Sequence, residues 1–427
     1  MVKAVATNQT IMVVGGGISG LTAAIEAAEC GKKVILIEKN PSVGGRITQL
    51  YKYFPKMCYP TCGLEINLRR LKANKNIRLI TMAEVDNVVG EAGNYTVSVT
   101  VQPRYINEKC TACGDCVKDI ETEFDDEYNY GLKKRKGVYL AHKMAFPQRY
   151  VMDPQLIGTA DADKAKAACK VDAVDLDMKV ETVELKVGAI IWATGWKPYD
   201  ANKIQPYGYG RFQNVITSVE LERMMDPLGP TGGKLIRPSD GKEAKNVAFI
   251  QCAGSRDKNH LAHCSRICCM ASLKQSTYLR EKYADEGKAS IYYIDIRAID
   301  RIDDFHQKVK QDPNVTFVKS KVANITQDKD ANPILHGVDT EGYHRYSNPH
   351  DLAVLAVGME PSVPKDRLPT QVVVNDNGFI EQDERNGAIF AAGCASDALD
   401  VNRAVQNATA CALRAIQVVN RVAGTEG

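Results

Sequence analysis

The chain lacks an excess of charge of either sign: its 427 residues hold 55 Lys and Arg against 52 Asp and Glu, a net charge of +3. Without a basic field, nucleic-acid binding by phosphate neutralisation is excluded as a leading reading. It also lacks any charge-free apolar run long enough to cross a bilayer. The opening stretch, "MVKAVATNQT", has no basic region followed by an apolar one, so it does not read as a secretory leader. The expected location is therefore the cytoplasm, with no direct membrane span and any membrane association made through other subunits. What the chain does have is 44% hydrophobic content, enough for two or three domains, and 13 cysteines. In a reducing compartment those cysteines cannot form a disulfide framework, which leaves metal binding, catalysis or plain burial. Cys30 and Cys411 lie in apolar helical patterns and are expected to be buried.

Residues 11–39 read "IMVVGGGISGLTAAIEAAECGKKVILIEK": an apolar strand, Gly15-x-Gly17-x-x-Gly20, a helical stretch, and a second strand ending in Glu38 and Lys39. The glycines permit a tight turn and close approach of a pyrophosphate to a helix N-terminus, and Glu38 stands where a ribose hydroxyl needs an acceptor. Further along come Gly44, Gly45 and Arg46, then a strand ending in Thr194 and Gly195, then Gly393 followed by a helix. These stretches resemble the two-dinucleotide-domain flavoproteins, the family of the pyridine nucleotide-disulfide reductases. The resemblance implies an α/β fold and an FAD site assembled from distant segments. Where that family usually carries Asp after the last glycine, this chain has Cys394, read as a space-filling residue. The helix opening near Asp400 offers its N-terminal end to the flavin.

A second nucleotide fingerprint is missing. The strand at Val247–Gln251 is followed by "CAGSRDKNH", with no Gly-x-Gly-x-x-Gly, so NAD(P)H is not expected there. The same place carries four cysteines. "CSRICCMASLKQSTYLREK" reads as a helix from Cys264, with Cys264 and Cys268 on one face, Cys269 beside them, and Cys252 leaving the strand. Four convergent thiols suit an iron–sulfur cluster or zinc, with a disulfide or simple packing as alternatives. The stretches "CAGSRD" and "CSRICCM" resemble the family of the A-type subunit of heterodisulfide reductase. That resemblance implies that Cys252, Cys264, Cys268 and Cys269 ligate a [4Fe–4S] cluster and that Lys274 lies beside the flavin; otherwise Lys274 is a solvated helix residue.

Between "YTVSVTVQPRY" and "VELKVGAIIWATGW" lies an insertion opening with Cys110-x-x-Cys113-x-x-Cys116 and closing with Cys169. In two-cluster ferredoxins the last cysteine of one motif ligates the cluster held by the first three of the other. These four therefore form one complete ligand set, while Lys118–Ile120 and "PQLIGTADADKAKAA" leave the other site without thiols. A zinc site or a metal-free relic are the alternatives. "GLKKRKGVYL" reads as a solvated hairpin tip or a docking patch for an acidic partner. Cys58 and Cys62 come too late after Gly45 to be the dithiol of the disulfide reductases, leaving packing or a partner-facing thiol.

The expected architecture is an FAD domain from 1–105, 180–245 and 350–427, a ferredoxin-like insertion at 106–179, and a degenerate pyridine-nucleotide-type domain at 246–349. Within the family, "FPKMCYPTCGLEINLRR" and "HKMAFPQRYVMDP" most resemble the branch found in quinone-modifying oxidoreductase complexes. The branch implies electron relay between a membrane quinone pool and cytoplasmic sulfur chemistry. Its implied partners are adenylylsulfate reductase, a membrane quinone-reactive subunit, plus a second subunit with flavin and iron–sulfur centres. The competing readings are the A-type component of a sulfur-oxidising heterodisulfide reductase-like complex and a self-sufficient flavin-dependent disulfide reductase. No residue pair is set for general acid–base work.

Overall fold

A computed structural model describes residues 8–298 and 302–421. The chain divides into two compact units, one formed by residues up to Thr48, Thr61–Trp196 and the segment from Pro361 on, the other by Gln49–Pro60 and Lys197–Glu360.

The first unit is organised by a parallel sheet whose strands run Ile389–Ala391, Ala189–Trp192, Ile11–Val14, Val34–Glu38 and Ile77–Thr81 in spatial order. Near-continuous apolar runs such as "IMVV" and "AIIW" are buried along their whole length, as strands covered on both faces must be. Helices Ile18–Glu29 and Val401–Asn420 pack on each other and on this sheet. A three-stranded antiparallel sheet of Glu181–Val187, Asn94–Val101 and Ala83–Glu91 follows the two-residue alternation of "NYTVSVTV", which buries Tyr95, Val97 and Val99.

Val101 pairs with Glu181, so the insertion leaves and re-enters the sheet at neighbouring positions. It has its own core of Ile106, Ile120, Val138, Met152, Leu156, Ala162, Ala165, Ala173 and Val174 around Cys116. Arg104 ties it to the dinucleotide loop: the residue is 6% exposed, and its guanidinium donates to the carbonyls of Pro41, Arg149 and Tyr150 and to Thr81 Oγ1. Burial lowers its pKa to about 10. Val43 N–H also donates to Phe146 O at 2.9 Å, and Tyr128 donates to Thr48 O at 2.5 Å. The insertion therefore rests directly on residues 41–48. The basic run lies in a hairpin, with Lys133 and Lys134 exposed as a solvated tip would have them. Lys134–Lys136 is a strand paired with Glu123–Asp125, and Lys133, Lys134 and Arg135 pair with Asp126, Asp125 and Asp153.

The second unit is built on a parallel sheet in the order Val215–Thr217, Leu352–Val357, Asn246–Ala253, Lys288–Tyr293 and Val315–Lys319. One face carries a core that includes Tyr207, Ala248, Ile250, Tyr292, Leu355 and residues of a three-stranded antiparallel ladder. Helix Cys268–Tyr283 gives nothing to that core and packs against the central strand Asn246–Ala253, which places it on the opposite face. It starts four residues later than the sequence pattern suggests. Cys264 lies in the preceding loop because Arg266 takes a left-handed conformation, φ 59°, which stops the helix from extending back.

Candidate functional site

The dinucleotide loop has the form that its glycines demand. At Gly15, φ is 107°, and a Cβ there would meet Ala193 O at 2.3 Å; at Gly20 it would meet Gly15 O at 1.7 Å. Gly17 differs, for the nearest atom to a Cβ there is 3.9 Å away. It is itself the N-cap of helix Ile18–Glu29, which has no side-chain cap. A free helix N-terminus beside an open glycine edge fits a pyrophosphate. Glu38 is 6% exposed and accepts from Gly16 N–H and Asn40 N–H, both at 2.7 Å. Burial lifts its pKa against those bonds.

The other predicted contributors fall as follows. Gly45 (φ 59°) comes close enough to Gly17 that a Cβ would lie 2.8 Å from its Cα, and Gly393 N–H donates to Asn407 Oδ1 at 2.7 Å. Arg46 donates from Nε to Trp196 O at 2.5 Å and from a terminal nitrogen to Tyr130 OH at 3.1 Å. Thr194 and Gly195 follow the strand Ala189–Trp192, and Gly195 (φ 72°) accepts from Ser362 N–H at 3.2 Å. Lys39 is exposed and pairs with Glu84 at 3.7 Å. Asp400 caps helix Val401–Asn420 itself, accepting Arg403 N–H. Cys394 is buried, donates to Leu399 O, and has its pKa raised to about 11 by burial, as a space-filling thiol should. Cys411 is likewise buried, but Cys30 is exposed, because it caps the end of helix Ile18–Glu29 beyond its last buried turn.

The first cysteine set lies within the insertion. Cys110 and Cys169 pack against the core that buries Cys116. The Cys116 thiol is pushed up to about 11 by burial and then by Cys110, Cys169 and Cys113, so it lies within electrostatic reach of the other three. Ala112 N–H donates to Cys110 Sγ at 3.4 Å and Ala173 N–H to Cys169 Sγ at 3.2 Å. Tyr150 stands beside the set, its own pKa raised by burial and by Cys116, Cys110 and Cys113. Where a second thiol set would be expected, Ile120, Ala162 and Ala165 are core residues. Across it, Asp161 accepts from Glu121 N–H, Thr122 N–H and Thr122 Oγ1 at 2.8–3.0 Å.

The second set gathers at the carboxyl end of the central strand and the first turn of helix Cys268–Tyr283. Cys268 is raised well above the ordinary thiol range by burial and then by Cys252, Cys269 and Cys264; Cys269 is raised to about 11 by burial, against a bond from Arg297 N–H. Every thiol in this set has a nitrogen donor. Cys252 has the Arg256 guanidinium, Cys264 has Arg266 N–H at 3.3 Å, Cys268 has Cys252 N–H, and Cys269 has Arg297 N–H at 3.4 Å. Such donors stabilise thiolates, so the set fits a group that binds four of them. Among the described residues no three His, Cys, Asp or Glu are drawn together closely enough to hold a metal ion. His260 and His263 do not compete, being bonded to Tyr199 OH and Met359 O.

Two residues carry weight that sequence reading missed. Tyr199 packs against the loop after the central strand, since a Cβ on Gly254 would lie 2.3 Å from its ring. Arg256, the charge inside "CAGSRD", pairs with Asp295 at 2.5 Å while serving Cys252; a cation embedded between ligands was the available signal. Lys274 is neither solvated nor free. It is 3% exposed, paired with Glu222 at 2.9 Å, and donates to Lys52 O at 2.8 Å.

Residues 10–107 match the family model described as FAD dependent oxidoreductase. The chain is 37% identical over 418 residues to the second A-type iron–sulfur subunit of CoB–CoM heterodisulfide reductase from Methanopyrus kandleri, covering 95% of this chain and 63% of that one. It is 35% identical over 430 residues to the A-type subunit of the H2:CoB–CoM heterodisulfide,ferredoxin reductase of Methanothermobacter thermautotrophicus, with coverage of 96% and 64%. It thus spans less than two thirds of the length of these curated relatives. Among solved structures, thioredoxin reductase of T. acidophilum superposes with a TM-score of 0.52 at 12% identity, covering 96% of this chain and 98% of its own. The flavoprotein disulfide reductase RclA of Escherichia coli gives 0.50 at 13%, covering 94% and 69%. At such identities the likeness establishes the two-dinucleotide-domain flavoprotein fold alone. The matched family model and the glycine cradle support FAD as the cofactor. No helix among the described residues is long and apolar enough to cross a membrane.

Proposed function

The chain is homologous to the A-type subunit of heterodisulfide reductase over nearly its whole length, and from that footing we propose that it is an FAD- and iron–sulfur-containing electron-transfer subunit holding two [4Fe–4S] clusters. The observation that carries the reading is the second cysteine set: four mutually interacting thiols, each with its own nitrogen donor, stand where a second dinucleotide would have bound. Bound FAD exchanges electrons in pairs or singly, whereas an iron–sulfur cluster takes one at a time.

The protein's own work is holding and insulating. Gly17 presents an open edge and a free helix end to the pyrophosphate, and Glu38 fixes the loop by gripping Gly16 N–H. Cys110, Cys113, Cys116 and Cys169 would hold one cluster, and Cys252, Cys264, Cys268 and Cys269 the other. Because the buried thiols are held protonated, loading either set releases protons. The loop after the central strand has no Gly-x-Gly-x-x-Gly and Tyr199 packs against its Gly254, which argues against a self-sufficient disulfide reductase.

The finer reading places the chain in a quinone-modifying oxidoreductase complex. There it would relay electrons between a membrane quinone-reactive subunit on one side, cytoplasmic sulfur chemistry on the other. A second flavin and iron–sulfur subunit would stand alongside it, with adenylylsulfate reductase as the soluble partner. Support comes from "FPKMCYPTCGLEINLRR" and "HKMAFPQRYVMDP", which resemble that branch. Anaerobic purification followed by assay of iron and acid-labile sulfide per FAD tests the cofactor content. About eight irons support two clusters, about four reduce the chain to one, and none with flavin retained refutes the relay. Reduced or oxidised quinol analogues, added to the chain with its co-purifying subunits, test the finer reading by whether the flavin spectrum responds.

A further inference from the structure

Gln251 is the last residue before Cys252 on the central strand of the second unit and is 5% exposed. Both atoms of its amide, Nε2 and Oε1, are buried without a hydrogen-bond partner. A buried amide left unpaired is costly, so such a group calls for a partner. Its direction follows from the strand. Ala248, Ile250 and Ala253 belong to the core on one face, and a bulge between Ile250 and Ala253 leaves Gln251 and Cys252 together between two core-facing residues, off that core and on the side where helix Cys268–Tyr283 packs. At this end of the strand that face holds the first turn of the helix, with Cys268 and Cys269. The polar residues that the helix buries are engaged elsewhere: Ser272 Oγ donates to Cys268 O, and Gln275 Nε2 donates to Ser218 O and to Glu222. Gln275 Oε1 is also unpaired, so the two amides do not satisfy each other.

We propose that Gln251 Nε2–H donates to a sulfur of the iron–sulfur group held by Cys252, Cys264, Cys268 and Cys269, and thereby raises that group's reduction potential. The inference rests on the cluster reading above and adds a side-chain donor to the four nitrogen donors already serving the thiols. The physical reason is charge: reduction adds an electron to an anionic group, and a donor aimed at its sulfur stabilises the reduced form more than the oxidised one.

The test is a redox titration followed by EPR on the anaerobically purified chain and its Gln251→Met variant, which keeps the side chain's length and removes the donor. Cys264→Ser identifies the signal that belongs to this set. Gln251→Met is expected to keep its iron and flavin and to lower the reduced fraction of that signal about three- to tenfold at a fixed potential. That corresponds to a shift of roughly 30–60 mV to more negative values. The signal of the other set should stay in place. Unchanged potential with iron retained overturns the role of Gln251. If Cys264→Ser removes no iron and no signal, the cluster reading itself fails, which is a separate result. Should Gln251→Met fold poorly, Gln251→Leu, which also lacks a donor, must move the same signal to more negative values. If it does not, the proposal is again overturned.

Discussion

Lys274 offers a sharp test, because the family resemblance and the structure assign it different work. Lys274 and Glu222 are 3% and 2% exposed, and their ammonium and carboxylate are 2.9 Å apart. Glu222 also receives Tyr51 N–H at 2.9 Å, Gln275 Nε2 at 2.6 Å and Tyr278 OH at 3.2 Å, while Lys274 holds Lys52 O. The pair therefore clamps the 49–60 segment to the cysteine helix. Glu222→Ala leaves the ammonium buried with a carbonyl for company, and breaking a buried pair in this way costs roughly 3–5 kcal/mol. In a unit of this size that lowers the melting temperature by roughly 6–20 °C. Lys274→Met removes the charge and leaves Glu222 three donors, so it costs about 1.5–3 kcal/mol, the range for a hydrogen bond to a charged group. The double variant should lose less than the sum of the two. Thermal unfolding by circular dichroism measures the losses, limited proteolysis within residues 49–60 reports the clamp, and spectroelectrochemistry reports the flavin. The reasoning is refuted if Lys274→Met melts within about 2 °C of the parent and shifts the flavin potential instead.

Three further outcomes follow from particular contacts. Gly17→Ala should fold normally, since its φ of −73° suits any residue and a Cβ there has 3.9 Å of room, yet it should lose FAD, measured as flavin absorbance per protein; Gly20→Ala should disturb the loop itself. His350, buried between Tyr292 OH and Asn246 Oδ1, has its pKa lowered to about 4 by burial. The unfolded chain takes up this proton first, so stability is complete above about pH 6.5 and is lost as pH falls toward 4, by about 3 kcal/mol; urea melts of the parent and His350→Gln at pH 7 and pH 4 should differ accordingly. Asp161→Ala should lower the iron bound by the first set and leave the second set's EPR signal intact, because the clasp on Glu121 and Thr122 holds the segment that follows Cys116.

The parts legible in the sequence are those in which chemistry is tied to spacing. Gly15, Gly17 and Gly20 imply one turn, and buried parallel strands announce themselves as unbroken apolar runs. Positions decided by tertiary partners are not legible. Lys274 looks solvated in a helical pattern because nothing near it in sequence points to Glu222, far earlier in the chain. The basic run 133–136 looks free because its partners Asp125, Asp126 and Asp153 are assigned only by folding. Periodicity puts Cys264 in a helix because it cannot detect a left-handed residue such as Arg266. The apolar pattern puts Cys30 in the core because it runs to the helix end, where the cap turns outward.

Arg266 also joins the two cysteine sets in one physical argument. In each set a cysteine is followed two positions later by a residue at positive φ, Ala112 at 57° and Arg266 at 59°, whose N–H donates to that cysteine's sulfur. Neither residue is glycine, so each position holds strain that an L-residue ordinarily avoids. The strain turns the chain just after the cysteine, aims an amide back at the thiol, and brings Cys113 or Cys268 round toward the same centre. One set sits in a small inserted core and the other at the end of a parallel sheet, so shared surroundings do not explain the repeated geometry. A common requirement does: a thiolate held in a low-dielectric pocket needs a nearby donor, and the nearest donor is the backbone two residues on. Replacing Ala112 or Arg266 with glycine should relieve the strain and keep the N–H, so the iron content should survive. Proline at either position removes the donor and cannot adopt positive φ, so it should empty that set alone.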